Sequence, residues 1–127
     1  RPHLSEELEH GLSLLRPWVR SREEGVRRCA IEATRPRGVW TAHLPLLKED
    51  PSLGLPLLEP VRSDPSRFVQ DAVANWLNDA SRSQPGWVLD LCDRWKRASS
   101  TAATARIVHR ALRTLRRQGL LDETTLP

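Results

Sequence analysis

Apolar residues recur along this chain at intervals of three and four, the spacing that puts them on one face of an α-helix. No stretch alternates β-branched and polar residues, and no Asn-Gly pair marks a hairpin turn, so strand signals are nearly absent. The pattern predicts an all-α chain with helices over 4–19, 22–34, 40–48, 51–61, 65–81, 85–97 and 101–118. Helix starts are marked by a capping residue ahead of a proline at Asp50-Pro51 and Asp64-Pro65, with a weaker version at Gln84-Pro85. Ser21 ahead of Glu23 and Glu24 opens another, because carboxylates in a first turn suit the helix dipole, and Gly119 closes the last. The predicted loops are short, so neighbouring helices are expected to pack as antiparallel hairpins.

Three of these helices share a heading. Val26-x3-Ala30, Val69-x3-Val73 and Ile107-x3-Ala111 recur at a period of about forty residues, that of HEAT-like helical repeats. Each repeat buries its apolar face only by stacking on the next, so the expected architecture is an α-solenoid of antiparallel helix pairs with a concave binding surface, a plain bundle being the alternative. The expected core stripes are Val26 with Cys29, Ala30 and Ala33; Val69, Val73, Trp76, Leu77 and Ala80; and Val108, Ala111, Leu112 and Leu115. Trp18, Trp87 and Trp95 are expected to fill gaps between helices.

The 127 residues suit one domain, read as residues 1–127, and the start Arg1-Pro2-His3 makes the chain look cut from something longer. No apolar run approaches the roughly 20 residues of a bilayer span, which points to a protein of the cytoplasm with no membrane partner. Cys29 and Cys92 lack metal-ligand spacing and are read as a reduced pair, with neither metal nor cofactor expected.

Charge adds a partner to this picture. The net charge is +4, with nine basic and nine acidic residues over 1–60 and eleven basic and seven acidic over 61–127. From Arg94 to Arg117 there are eight cations and no carboxylate. Such a block is either a solvated helix face or a surface for a polyanion, nucleic-acid backbone above all. Arg106, Arg110, Arg113 and Arg117 fall on one ridge at i, i+4, i+7 and i+11, a match to successive phosphates. His109 is read as structural or phosphate-facing.

Glu32 falls off the core stripe of its helix, four residues after Arg28, where it is either half of a surface ion pair or a carboxylate aimed along a cleft. Just beyond it, Arg35-Pro36-Arg37-Gly38 makes a basic loop that ends in Trp40, suited to holding phosphate while the indole stacks on a base. Asp79 lies near a helix C-terminus, the wrong end for an anion by roughly 0.3–1 kcal/mol, and a residue set against local preference is a candidate for function. Carboxylates and rings among arginines can stabilise a cationic group.

At residues 26–40, VRRCAIEATRPRGVW, the chain resembles the AlkC-like branch of the DNA alkylation-repair glycosylases, whose motif runs approximately VRRxASEGxRPRLPW. The resemblance resumes at 69–79, VQDAVANWLND, close to VRRSVANxLND, and at 107–119, IVHRALRTLRRQG, close to IVKHALRTLxKxG. It covers residues 20–119 or so, the C-terminal part of the family's HEAT-like domain.

The resemblance implies removal of cationic N-alkylated bases such as 3-methyladenine from double-stranded DNA by cleavage of the N-glycosidic bond, by a monomer without metal or cofactor, in a nucleoid-associated setting. It implies Glu32 and Asp79 as the site carboxylates and Trp40 as the ring facing the lesion. Arg27, Arg28, Arg35 and Arg37 join the arginine ridge as expected DNA contacts. Ile31, Ala33, Gly38, Val39, Gln70 and Asp71 depart from the family pattern. The last two exchange a pair of cations for a neutral residue and an anion, which weakens the expected backbone grip. A non-catalytic HEAT-like module that binds DNA or a protein is the alternative function.

Overall fold

The computed structural model describes residues 2–36 and 46–119, all helix, turn or loop, with no strand among them. Helix α1 spans Pro2–Leu15 and tightens into a 3-10 helix over Arg16–Arg20 at Pro17, which has no amide to continue the ladder. Helix α2 is Glu24–Ala33, and the Ser21 hydroxyl accepts the Glu23 amide just ahead of it at 3.1 Å. Of the predicted 40–48 helix, Leu46–Glu49 forms a single turn, α3, and residues 40–45 lie outside the described residues.

The helix predicted over 51–61 is instead three short pieces: a 3-10 turn at Pro51–Gly54, α4 at Leu55–Leu58, and a 3-10 turn at Glu59–Val61. Pro56 and Pro60 stand at the start of the second and third pieces, and each removes an amide that a continuous ladder would use. Asp50 caps the first as expected, accepting from the Ser52 amide at 3.2 Å.

Helix α5, Arg67–Ser81, begins two residues later than predicted: Asp64 accepts the Ser66 amide at 3.0 Å ahead of it, and Ser66 supplies the cap to the Val69 amide. Helix α6 is Pro85–Ala98 and α7 is Ala102–Ala111, capped by Thr101. The predicted helix 101–118 breaks at Leu112 and resumes as α8, Arg113–Arg117. The cause lies across the interface. Buried Asn78 of α5 accepts the Thr114 amide at 3.1 Å, while the Arg110 carbonyl, that amide's helical partner, accepts from Arg113 instead. Gly119, at φ 69°, ends the segment in the left-handed conformation that glycine adopts freely.

The helices headed by Val26, Val69 and Ile107 lie side by side, α5 between α2 and α7. Behind them run the 16–20 turn, the 51–61 segment and α6, giving an all-α, HEAT-like stack of helix pairs. The α5 and α7–α8 stripes are buried as expected. On α2 the buried face is turned by about one residue, carrying Ala30, Ile31 and Thr34, and Cys29 is exposed rather than packed. Two polar residues outside the expected stripe line the turned face, since Arg27 reaches inward to Asp64 and Thr34 accepts from the Trp76 indole.

Trp76 is the centre of this packing. Its Nε1 donates to Thr34 Oγ1 at 3.1 Å, its ring meets Trp87 at 6.4 Å between centroids, and Gly54 lies so close that a Cβ there would fall 2.4 Å from the indole. Trp95 is buried and donates to Glu59 at 3.0 Å, whereas Trp18 is 43% exposed and fills no gap. Both cysteines are free thiols, and burial pushes that of Cys92 up to about 12.

Candidate active site

The site grows from the end of α2. Thr34, fixed by Trp76 on one side and by the carbonyls of Ala30 and Ile31 on the other, ends the helix and sends Arg35 toward α5. The Arg35 guanidinium grips Asp79 with two bonds, Nε to Oδ2 at 2.8 Å and Nη2 to Oδ1 at 3.2 Å. Its remaining arm, Nη1, reaches Glu32 Oε2 at 3.2 Å. One cation therefore joins two carboxylates from two different repeats.

Glu32 Oε1 is also met by Arg28 at 3.3 Å, and Arg28 in turn stacks 4.1 Å above the half-exposed ring of Phe68. Asp79 is nearly buried, its side chain 8% exposed, while that of Glu32 is 25% exposed. Fork-to-fork pairing explains how an anion persists near the negative end of α5, because charge-assisted bonds outweigh the dipole penalty. Arg35 holds its proton more tightly than a free arginine does, through the bond to Asp79 first, with burial opposing and Glu32 adding to the effect.

The arginine ridge is more occupied than its spacing suggests. Arg106 donates to Gln70 Oε1 at 3.0 Å and to Asp71 Oδ1 at 2.7 Å, and Arg110 Nε stands 3.2 Å from the same Asp71 oxygen. Arg113 donates to Asn75 at 2.9 Å and to the Arg110 carbonyl at 3.3 Å. Its charged form is disfavoured by burial first, then by Arg110, Arg117 and Arg35, with Asp79 opposing. His109 is exposed and takes the Arg116 guanidinium on its ring and carbonyl.

Arg27, expected among the phosphate contacts, is instead a part-buried lock with its side chain 14% exposed. It grips Asp64 at 2.8 and 3.1 Å and donates to the carbonyls of Ser21 and Arg22. Those bonds keep its donors inside the fold, and hydrogen bonding to Asp64 raises its proton affinity. Arg37 and Trp40 lie outside the described residues.

Periodicity missed the α5 partners Gln70, Asn75 and Asn78. Setting Gln70 and Asp71 against Arg106, and Asn75 against Arg113, is the cross-helix pairing that would have found the seam. No group of three His, Cys, Asp or Glu that could hold a metal occurs among the described residues.

A helical-repeat module with paired carboxylates and a basic flank is the class that fold and site define. The family model described as "DNA alkylation repair enzyme" matches residues 1–115, and the chain belongs to that family. It is 39% identical over 119 residues to the Bacillus subtilis (strain 168) protein titled "Uncharacterized protein YhaZ", covering 94% of this chain and 33% of that one. It is similar, at 38% identity and a TM-score of 0.77 over 85% of its length, to the solved Pseudomonas fluorescens alkylpurine DNA glycosylase AlkC bound to DNA containing an abasic site analog. The match covers 30% of the AlkC chain, so this chain spans about a third of the length of both relatives.

Proposed function

We propose that this chain carries the catalytic carboxylates of a DNA glycosylase that releases cationic N-alkylated bases, such as 3-methyladenine, from double-stranded DNA. The observation that carries the proposal is the meeting of Glu32 and Asp79, from two different repeats, on the single guanidinium of Arg35. An N-alkylated purine is already a cation and a good leaving group. Catalysis then needs stabilisation of the positive charge that develops on the sugar, and a placed water to capture it. Glu32, the more accessible carboxylate, faces the sugar and accepts the proton of the water. Asp79 holds Arg35, and through it the orientation of Glu32, while Trp40 stacks on the lesion. The chemistry calls for no cofactor.

The partner is duplex DNA, contacted through phosphates by Arg28, Arg37, Arg110, Arg113 and Arg117, while Arg35 is kept by the two carboxylates, and the chain acts as a monomer. Support comes from the family, from the alkylpurine glycosylase named among the solved relatives, and from the carboxylate geometry. The occupation of both carboxylates by Arg28 and Arg35 favours a second reading, a module that binds DNA without turnover.

The test is release of methylated bases from alkylated duplex DNA, in excess protein, by the parent chain and by Glu32→Gln. Base release by the parent that falls at least a hundredfold in the variant supports catalysis. Salt-dependent DNA binding with no release at any protein excess leaves the binding module.

A further inference from the structure

The seam between α5 and α7 sets Asp71 against two arginines in an arrangement that is stable but incomplete. A single oxygen, Oδ1, receives Arg106 Nη2 at 2.7 Å and lies 3.2 Å from Arg110 Nε. That second approach lacks hydrogen-bond alignment, and Arg110 Nε, itself buried, has no hydrogen-bond partner among the described residues. One carboxylate oxygen thus underfills a site that offers donors from two guanidinium groups. A phosphodiester presents two non-bridging oxygens on a tetrahedral centre and can take one donor on each.

The aim of Arg106 does not depend on Asp71. Its other terminal nitrogen donates to Gln70, and Gln70 is buried and anchored through its own amide to the Asp64 carbonyl at 2.8 Å. Asp71 is the more exposed member, its side chain 41% exposed against 24% for Arg106, and a pair this open to solvent is worth only about 0–1 kcal/mol. The adjoining turn carries an excess of cations, since Arg113 is crowded by Arg110, Arg117 and Arg35.

We propose that Arg106 and Arg110 form a seat for one phosphodiester of a DNA strand, and that Asp71 occupies the seat in the free protein and is displaced when DNA binds. The proposal rests on DNA being the partner. It turns a sequence departure that looked like a lost phosphate contact into a competitor for one, which makes Asp71 a brake on DNA affinity.

The experiment measures binding of an undamaged duplex across a salt series for the parent, Asp71→Asn, Asp71→Ser and Asp93→Asn. Asp93 pairs with Arg97 at 2.6 Å on α6, exposed and away from the seam, so its variant makes the same change in net charge as Asp71→Asn without opening the seat. Removing the competitor spares the cost of displacing it, so both Asp71 variants should bind about two- to fivefold more tightly at 0.1 M salt, with a log–log slope close to that of the parent. Asp93→Asn should give less than a twofold change.

Equal effects of Asp71→Asn and Asp93→Asn, or no tightening in either folded Asp71 variant, overturn the seat while leaving DNA as the partner. Absence of duplex binding by every variant overturns the seat and the DNA partner together. Tightening by the Asp71 variants with no base release from alkylated DNA upholds the seat and removes only the glycosylase.

Discussion

Replacing Gly54 by Ala tests whether Trp76 is the fixed point from which the site is built. The glycine lies in an ordinary right-handed backbone conformation, so Ala brings no backbone strain and would ordinarily gain about 0.4–1 kcal/mol by restricting the unfolded chain. Its Cβ, however, would sit 2.4 Å from Trp76 Cζ2 and 2.9 Å from Cη2. The ring has little room to retreat, since Nε1 is bonded to Thr34, Trp87 stands on another side and the residue is fully buried. Overpacking of this sort costs about 1–3 kcal/mol, which outweighs the gain. At roughly 3–5 °C per kcal/mol for a domain of this size, the thermal midpoint should fall by about 3–10 °C. Gly86 is the control, because a Cβ there meets nothing within 4 Å, and Gly86→Ala should leave the midpoint unchanged or raise it. Thr34 adjoins Arg35, so Gly54→Ala should also lower base release beyond its effect on the folded fraction. Equal or greater stability in calorimetry for Gly54→Ala would refute the tight contact at Trp76.

Arg27→Gln should cost about 2–3 kcal/mol in denaturant unfolding, as charge-assisted bonds to buried Asp64 are lost, and leave the salt slope of DNA binding unchanged. Arg110→Gln should do the reverse, flattening the slope by about 0.9 with little effect on stability. Cys29 should react with a thiol reagent in the folded protein, and Cys92 only on unfolding, which counting modified thiols by mass spectrometry will check. Because Cys92 holds its proton to about 12 when folded, its contribution is complete below the unfolded value near 9 and is lost as pH rises from there, at up to about 1.4 kcal/mol per unit. Cys92→Ala should therefore weaken the alkaline decline in unfolding midpoint.

Sequence alone carried the helical class, most helix positions and two of the three core stripes, because the stripes of α5 and of α7–α8 are apolar at every position, although α5 also buries Gln70, Asn78, Asp79 and Ser81 beside its stripe. On α2 the inward face includes Arg27 and Thr34, whose burial depends on Asp64 and Trp76, 37 and 42 residues away. Local periodicity has no access to such partners. The same limit hid the break at Leu112, which an asparagine on another helix imposes, and the pairing of Asp71 with the arginine ridge. Glu32 and Asp79 stood out for opposite reasons, one by lying off a core stripe and the other by sitting at an unfavourable helix end. The cation that joins them, Arg35, was legible as a basic loop residue but not as their common partner.

The most direct test of the central claim is a single-turnover measurement of base release from methylated duplex by Asp79→Asn, beside its affinity for the same duplex. An amide cannot supply the anion that fixes Arg35 and, through it, Glu32, whereas phosphate contacts lie elsewhere on the surface. The account predicts affinity equal to or above that of the parent, with release slowed by at least a hundredfold. Unchanged release, or a loss of rate that merely follows a loss of binding, would contradict it.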